Sequence, residues 1–297
     1  MNKNPLFSIL IPTWNNLPYL KLCIESIRKN STYHHQILLF INDGSDGTLK
    51  WAESQEIRYV HSPENVGICW ALNSLRPLVE TDYILYMNDD MYVCPKWDSV
   101  LWEHIQQLPD NKFFLSSTLI QPRPFFCKSV IAPADFGQSI ETFREDDLLA
   151  RYHTLPHADW LGATWPPNVV HKDMWDLVGG YSIELSPGMY SDPDFSAKLW
   201  MAGVRLFKGL SDSRVYHFES VSTGRVKKNN GSRQFLAKWG ITSSSFMRHV
   251  LKRGERCDST KAGIDKTAVS KSLIRSRLKK VLTAFCKSGA VRNIWDE

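Results

Sequence analysis

Short apolar runs alternate with helix-length amphipathic segments through the first third of this chain. The runs at 7–11, 37–41 and 83–87 are almost continuously apolar, and 57–61 is a weaker example. Runs of this length are typical of strands buried on both faces, and their alternation with helical patterns predicts right-handed crossovers in a mainly parallel sheet. We therefore predict a Rossmann-like α/β fold in which helices flank the sheet.

Polar clusters stand directly after three of the predicted strands. These clusters are Thr13-Trp14-Asn15, Asn42-Asp43-Gly44-Ser45-Asp46 and Asn88-Asp89-Asp90. Open sheets of this kind bind ligands beyond the carboxyl ends of their strands. The three clusters therefore predict a single cleft.

The acidic residues in these clusters allow two interpretations. Carboxylates at Asp89 and Asp90 are hard oxygen ligands, which suit Mg²⁺ or Mn²⁺ bridging the oxygens of a diphosphate. Asp43 offers an acceptor for the N–H of a nucleotide base. Both segments are equally typical of turns, in which the acids face solvent or, like Ser45 and Asp46, cap the next helix.

Two later residues are also candidates. Asp192 precedes Pro193 at the start of a helical pattern that continues to Met201, which predicts an N-cap carboxylate. The same carboxylate suits a general base, although the capping role alone would explain it. His217 follows a short apolar run at 214–216 and suits a metal ligand or phosphate contact, or an ordinary structural histidine.

Taken in order, these segments resemble the inverting glycosyltransferases of family 2, which have the GT-A fold. The resemblance covers about residues 6–220. The matching segments are Ile11-Pro12-Thr13-Trp14-Asn15, 42–48, Asn65-Val66-Gly67 with Ala71 and Asn73, Asn88-Asp89-Asp90, Gly179-Gly180-Tyr181 and Asp192-Pro193-Asp194.

The resemblance assigns roles residue by residue. For the nucleotide-sugar it implies contacts from Pro12, Thr13, Asn15, Asp43, Asn65, Gly67, Asn88 and Asp89. It implies a Mn²⁺ or Mg²⁺ cofactor held by Asp90 and His217, the latter followed by Ser222 and Thr223, and it makes Asp192 the general base. The implied partners are a nucleotide-sugar donor and a saccharide or lipid-linked saccharide acceptor.

Some positions depart from the family pattern. Asn88 stands where the family usually has Asp, Ser191 where it often has Glu, and Asn42 where an acid pair is common. These departures keep open a non-catalytic carbohydrate-binding or scaffold protein with a degenerate site. A sugar nucleotidyltransferase is a third alternative, but the segment after the first strand lacks the Gly-rich, basic phosphate loop that such chemistry usually needs. The favoured function is sugar transfer in surface polysaccharide or lipopolysaccharide synthesis.

Charge divides the chain into two parts. The net charge is +5, yet residues 248–297 carry 13 basic and five acidic side chains. We predict a catalytic domain at 1–225 and a basic helical extension at 226–297. Residues 268–287 form an amphipathic pattern, which predicts a helix that lies on an anionic membrane or one that docks on the catalytic body.

Other features bound the location and the partners. Six scattered cysteines argue against a disulfide framework and a zinc knuckle. The sequence predicts neither a signal peptide nor a transmembrane span, so we expect a cytoplasmic protein, in a peripheral position on the inner face of the membrane if the tail binds lipid. No basic motif with interleaved aromatic residues indicates nucleic-acid binding.

Overall fold

The computed structural model describes residues 4–219, 229–257 and 266–285, with side chains up to 282. Within these ranges one ten-stranded sheet runs through the molecule. Its strands are β1 Phe7–Trp14, β2 Gln36–Asn42, β3 Arg58–Ser62, β4 Tyr83–Tyr86, β5 Met91–Val93, β6 Phe113–Ile120, β7 Val130–Ile131, β8 Trp160–Leu161, β9 Asn168–His171 and β10 Leu206–His217.

Helices connect and cover these strands. They are α1 Leu17–Asn30, α2 Thr48–Ser54, α3 Gly67–Leu75, α4 Trp97–Ile105, α5 Glu145–Arg151, α6 Lys172–Val178, α7 Ser191–Met201, α8 Gly231–Trp239, α9 Ser243–Ser245 and α10 Lys266–Phe285. A π-helical turn, Phe246–Val250, continues α9, and short 3₁₀ turns lie at Arg76–Leu78, Ile140–Thr142, Tyr152–Thr154 and Ile183–Leu185.

Alternate residues of the central strands pack into two separate cores. Leu10, Phe40 and Tyr86 point to the face covered by α3, α6, α7 and α8. Ile9 and Leu39 point to the opposite face, where they meet α1 and α4. Successive side chains of a strand point to opposite faces, so burial on both faces requires the continuous apolar runs seen in the sequence.

The strand order is β3-β2-β1-β4-β9-β6-β10-β5. The four strands from β3 to β4 are parallel, as predicted from the first third of the chain. β9 is antiparallel to both β4 and β6, and β5 is antiparallel to β10, so the second half of the sheet is mixed. The predicted α/β fold with flanking helices and a C-terminal helix is confirmed.

This topology collects one end of many strands at a single edge. β1, β2, β4, β6 and β10 all finish there, and because β5 and β9 are antiparallel to their neighbours they begin there. The polar clusters after β1, β2 and β4 therefore meet segments that adjoin β5, β6, β9 and β10. The sheet itself brings residues far apart in sequence to one place.

Helices follow the first strands, as the alternating pattern predicts. Helix α3 begins at Gly67, ends at Leu75 and continues as a 3₁₀ turn. In the part of the chain that the structure describes, no helix is both long and apolar enough to cross a membrane. Ser222, Thr223, Cys286 and the boundary predicted between 225 and 226 lie outside the described residues.

Candidate active site

A cavity of about 1170 Å³ opens at this edge of the sheet. Nine of the predicted site residues line it: Pro12, Thr13, Asn65, Gly67, Asn88, Asp89, Asp90, Asp192 and His217. The lining also includes Ser243, Ser244, Met247, Arg248, Arg253, Gly254 and Glu255. The segment after the predicted catalytic domain thus contributes directly to the cavity wall.

Asp90 and His217 face each other across the ends of β4 and β10. The Nε2 atom of His217 lies 3.3 Å from Oδ1 of Asp90, and the backbone N–H of Phe218 donates to the Asp90 carbonyl. Burial would lower the pKa of His217, but the charge and hydrogen bond of Asp90 raise it above its ordinary value. The pair places one nitrogen and one carboxylate on the cavity wall.

Asp89 is held by the first strand. Its carboxylate accepts hydrogen bonds from Thr13 Oγ1 at 2.7 Å and Asn16 Nδ2 at 3.1 Å. Burial raises its pKa to about 7, and the adjacent Asp90 charge adds to this rise. These contacts connect the cluster after β1 with the cluster after β4.

The structure corrects the predicted capping role of Asp192. Helix α7 begins one residue earlier, at Ser191, and Tyr190 occupies the N-cap position in a left-handed conformation. Asp192 therefore lies in the first turn of the helix, where its carboxylate is directed into the cavity instead of closing the helix end. Burial raises its pKa to about 7, against the opposing effects of the Tyr181 hydroxyl and the Arg253 charge.

Two segments that are separate in the sequence support this carboxylate. Asn73 donates to the Tyr181 carbonyl at 2.7 Å and accepts from the Tyr181 N–H at 2.8 Å. The Tyr181 ring stacks on Phe195 with centroids 4.6 Å apart, and its hydroxyl lies 3.5 Å from Asp192. Gly180 has a φ of +60°, and a Cβ there would lie 2.3 Å from the Asn73 side chain, so glycine is required for this approach.

Asn65 and Gly67 build the start of α3. The Asn65 side chain accepts from the Gly67 N–H at 2.9 Å, and Asn42 accepts from the Val66 N–H. A Cβ on Gly67 would lie 2.5 Å from the backbone of Pro187. The loop that leads to α7 therefore packs directly against the start of this helix.

Asp43 and Asn15 lie beside the cavity and are absent from its wall. Asn15 Nδ2 donates to Asp43 at 2.8 Å, and both residues have positive φ angles. Hydrogen bonds from Ser45 and Asn15 lower the pKa of the Asp43 carboxyl. Gly47 occupies the N-cap position of α2, so neither Ser45 nor Asp46 is the cap. Asp46 accepts from the N–H groups of Thr48 and Leu17.

The side chains of Asp90 and His217 fit a divalent cation that is coordinated partly by the protein and partly by a diphosphate. Among the described residues, no group of three or more His, Cys, Asp and Glu side chains is arranged to hold a metal. Asp90 and His217 would supply two ligands, and Mg²⁺-type sites commonly combine one or two carboxylates with substrate phosphates and water.

Sequence comparison identifies the family. The family profile described as Glycosyl transferase family 2 matches residues 8–158, about half of the chain. The chain belongs to glycosyl transferase family 2. The Escherichia coli (strain K12) protein described as a colanic acid biosynthesis glycosyl transferase, WcaA, is 29% identical over 129 residues, which are 40% of this chain and 45% of that protein.

Solved structures show the same fold at low sequence identity. Staphylococcus aureus TarS 1–349 in complex with UDP-GlcNAc matches with a TM-score of 0.58 and 14% identity, over 91% of this chain and 81% of that one. The mannosyltransferase PcManGT of Pyrobaculum calidifontis, in complex with GDP-Man and Mn²⁺, matches with a TM-score of 0.52 and 13% identity, over 99% and 79% of the two chains.

In this family 2 chain the structure adds residues that the sequence did not single out. Tyr86 lies at the end of β4, and the charges of Asp192, Asp89 and Asp90 all contribute to a pKa well above its ordinary value, after burial itself. Gln121 follows β6 and contacts Nδ1 of His217 at 3.0 Å. In the sequence, these two residues are marked only by their position at the end of a strand. That position alone does not indicate a functional side chain when the residue is uncharged.

Proposed function

We propose that this chain is an inverting glycosyltransferase that moves a sugar from a nucleotide-sugar donor to an acceptor hydroxyl. One observation carries the proposal: three carboxylates from two segments about 100 residues apart, Asp89 and Asp90 in one and Asp192 in the other, line one cavity. Membership of family 2 and the nucleotide-sugar complexes of the structural relatives support it. The description of the relative WcaA as a colanic acid biosynthesis glycosyl transferase supports a place in surface polysaccharide or lipopolysaccharide synthesis.

The donor belongs at the β1–β2 side of the cavity. Pro12, Thr13 and Asn65 line this side, and Asp43 with Asn15 lies just beyond it. A base that reaches past the cavity wall would meet the Asp43 carboxylate, whose lowered pKa keeps it ionised as a hydrogen-bond acceptor. Asn88 and Asp89 also line the cavity and are the further proposed contacts of the donor.

Asp90 and His217 would hold the divalent cation, Mn²⁺ or Mg²⁺. Such a cation neutralises the charge that develops on a leaving diphosphate. The Mn²⁺ in the PcManGT complex supports divalent metal use.

Asp192 is the proposed general base. Its carboxylate takes the proton of the acceptor hydroxyl as that oxygen forms a bond with the anomeric carbon. The bond from that carbon to the diphosphate breaks, and the electron pair leaves with the nucleoside diphosphate. A single displacement inverts the anomeric centre. A pKa near 7 matches a base that works close to neutral pH.

A nucleotide-release assay tests the proposal. The chain is incubated with a panel of UDP-, GDP- and other nucleotide-sugars and mixed saccharide acceptors in the presence of Mn²⁺, and then with a chelator. We expect release from one donor class, dependent on acceptor and suppressed by the chelator. Binding of saccharides without release from any donor would support the non-catalytic alternative, and pyrophosphorolysis of a nucleotide-sugar would support the nucleotidyltransferase.

We also propose that helix α10 contacts a membrane surface through one face while another face docks on the protein. Ser272 and Ser276 of α10 are buried, and Ser276 accepts from the N–H of Thr242. The adjoining stripe of Ile274, Leu278, Val281 and Leu282 is at least 56% exposed on every member. An apolar stripe flanked by basic side chains suits an anionic lipid surface, which would place the enzyme on the inner face of the membrane beside a lipid-linked acceptor.

A further inference from the structure

The cavity has a second end, formed by aromatic and arginine side chains. We define the aromatic–arginine cluster as Phe125, Phe126, Trp165, Arg248 and Arg253, all of which line the cavity. Its members come from three segments: the loop after β6, the residues before β9, and the chain that follows α9.

Stacking organises this cluster. The guanidinium of Arg253 lies 3.8 Å from the centroid of the Trp165 ring, and Phe125 meets Trp165 edge-on at 5.5 Å. Phe126 lies 4.6 Å from Phe125 and is 85% exposed. A guanidinium stacked on an indole keeps its N–H edge available for a carboxylate or phosphate. The exposed phenyl ring offers an apolar face to a sugar.

The backbone of Arg253 is fixed by its neighbours. Gly162 has a φ of +81°, and a Cβ there would lie 2.5 Å from the Arg253 Cα, so only glycine allows this approach. The N–H of Gly254 donates to Leu161, and the N–H of Leu161 donates to Glu255. These bonds tie the segment to β8, so the cation is presented by a packed part of the protein.

Arg248 and Arg253 form no ion pair with a carboxylate of the described residues. Across residues 4–219, 229–257 and 266–282, no carboxylate lies within 4.0 Å of the guanidinium of Arg248 or Arg253. Glu255, the acid that lines this end, is exposed. The Arg253 charge still reaches Asp192, whose pKa it lowers, so the cation lies near the proposed base.

The cluster is distant from the proposed donor side. In the strand order, β6 is three places from β1 and four from β2. At about 4.8 Å per strand, these steps separate the ends by roughly 14–19 Å. The loop after β6 is therefore well separated from Pro12, Thr13 and Asn65, the proposed contacts of the donor base and ribose.

We propose that the aromatic–arginine cluster is the acceptor subsite and selects a saccharide that carries an oxyanion, either a carboxylate or a phosphate. The proposal rests on the proposed function, because it assigns the acceptor side of the same cavity. The anion would accept hydrogen bonds from Arg253 while the sugar face packs on the exposed phenyl ring, which leaves a hydroxyl beside Asp192.

Ligand-observed NMR with matched probes tests this. The full chain is saturated with the nucleotide that it releases in the donor assay, or with UDP and GDP in turn. It is then titrated with methyl β-glucuronide against methyl β-glucoside, and with glucose 6-phosphate against glucose. The variants are Arg253→Gln and, as a matched control, Arg205→Gln, which removes a guanidinium stacked on Trp200 at 4.1 Å outside the cavity.

We expect at least one anionic probe to bind more tightly than its neutral partner, and Arg253→Gln to weaken that binding by about tenfold while Arg205→Gln leaves it unchanged. A preference for the glucuronide identifies a carboxylate acceptor, and a preference for the 6-phosphate identifies a phosphorylated one. Equal binding of charged and neutral probes, absence of binding, or equal losses in both variants overturns the proposal. Donor binding and release in the same samples show separately whether the proposed function stands.

Discussion

At the scale of single residues, position within a turn decides what a carboxylate does. Asp192 and Asp194 are two residues apart on α7. Asp194 is fully buried and accepts from Ser182 and from the Trp239 indole, whereas Asp192 faces the cavity with one weak contact to Tyr181. A fully partnered carboxylate is structural, and one kept in a cavity with a raised pKa is a candidate base.

Asp192→Asn tests the proposed base directly. The amide cannot take a proton, so we expect kcat/KM to fall by about 10²–10⁴-fold. The affinity for the nucleotide-sugar should stay within about twofold, because Asp192 acts on the acceptor. Release kinetics and calorimetric titration measure the two quantities. The control is Asp176→Asn. Asp176 lies on α6, where it is exposed and forms an ion pair with Arg76. Near-normal turnover in Asp192→Asn would exclude this residue as the base.

The pH dependence follows from the same residue. The base must be ionised, and its pKa is raised to about 7 by burial, so protonation removes activity as the pH falls through that value. We expect kcat/KM to drop about tenfold per unit of pH below 7 and to level off above it. Steady-state rates between about pH 5 and 8.5, at subsaturating acceptor, measure this. A flat profile over that range would contradict the assignment.

At the scale of elements, α8 holds the loop and helix that carry the proposed base. Lys238 lies 3.0 Å from Asp194 and also contacts Ser182 and Glu184, while Asn229 donates to Leu185. A Cβ on Gly231 would lie 2.3 Å from the Met189 carbonyl, so the helix starts in direct contact with the same loop. The segment after the predicted catalytic domain therefore positions α7.

The variant Lys238→Met measures how much the Lys238–Asp194 ion pair contributes to the free energy of unfolding. It leaves the fully buried Asp194 without its cation, so we expect a loss of about 2–4 kcal/mol in the free energy of unfolding. Lys172→Met breaks an ion pair with Asp82 whose side chains are 39% and 62% exposed, and should cost about 1 kcal/mol or less. Chemical denaturation compares the two, and equal losses would show that Asp194 does not depend on Lys238.

At the scale of the whole molecule, α10 docks through one side and exposes another. Lys280 donates to the Ala237 carbonyl of α8, and Leu273 packs partly against the core. The two alternatives drawn from the sequence, docking and membrane contact, are therefore compatible, because they use different faces of one helix.

Vesicle flotation tests the exposed face. We expect the full chain to float with phosphatidylglycerol-rich vesicles, less so at high salt because surface charges are screened. The double variant Ile274→Asn, Leu278→Asn should lose most of this binding. Met201→Asn changes a side chain that is 73% exposed on α7 and should keep it. If the double variant or a chain lacking 264–297 floats as well as the full protein, the membrane proposal is wrong.

Local sequence was enough to predict the strands β1 to β4, the helices between them and the polar clusters at the strand ends. Buried parallel strands need continuous apolar residues, and turns need Gly, Asn and Asp. A short stretch of sequence is therefore enough to identify these elements. The pattern failed at the start of α7, where Tyr190 takes the cap, because a cap depends on backbone angles that one residue type does not determine.

Tertiary packing alone decided which of those residues meet. The antiparallel entry of β9, the contact of Asn73 with Tyr181 and the stacking of Arg253 on Trp165 join segments that are about 90 to 110 residues apart. Such contacts depend on the shape of the whole core, and no periodicity in the chain encodes them. The ends of strands are therefore readable in the sequence, whereas the cavity they enclose is a property of the folded molecule.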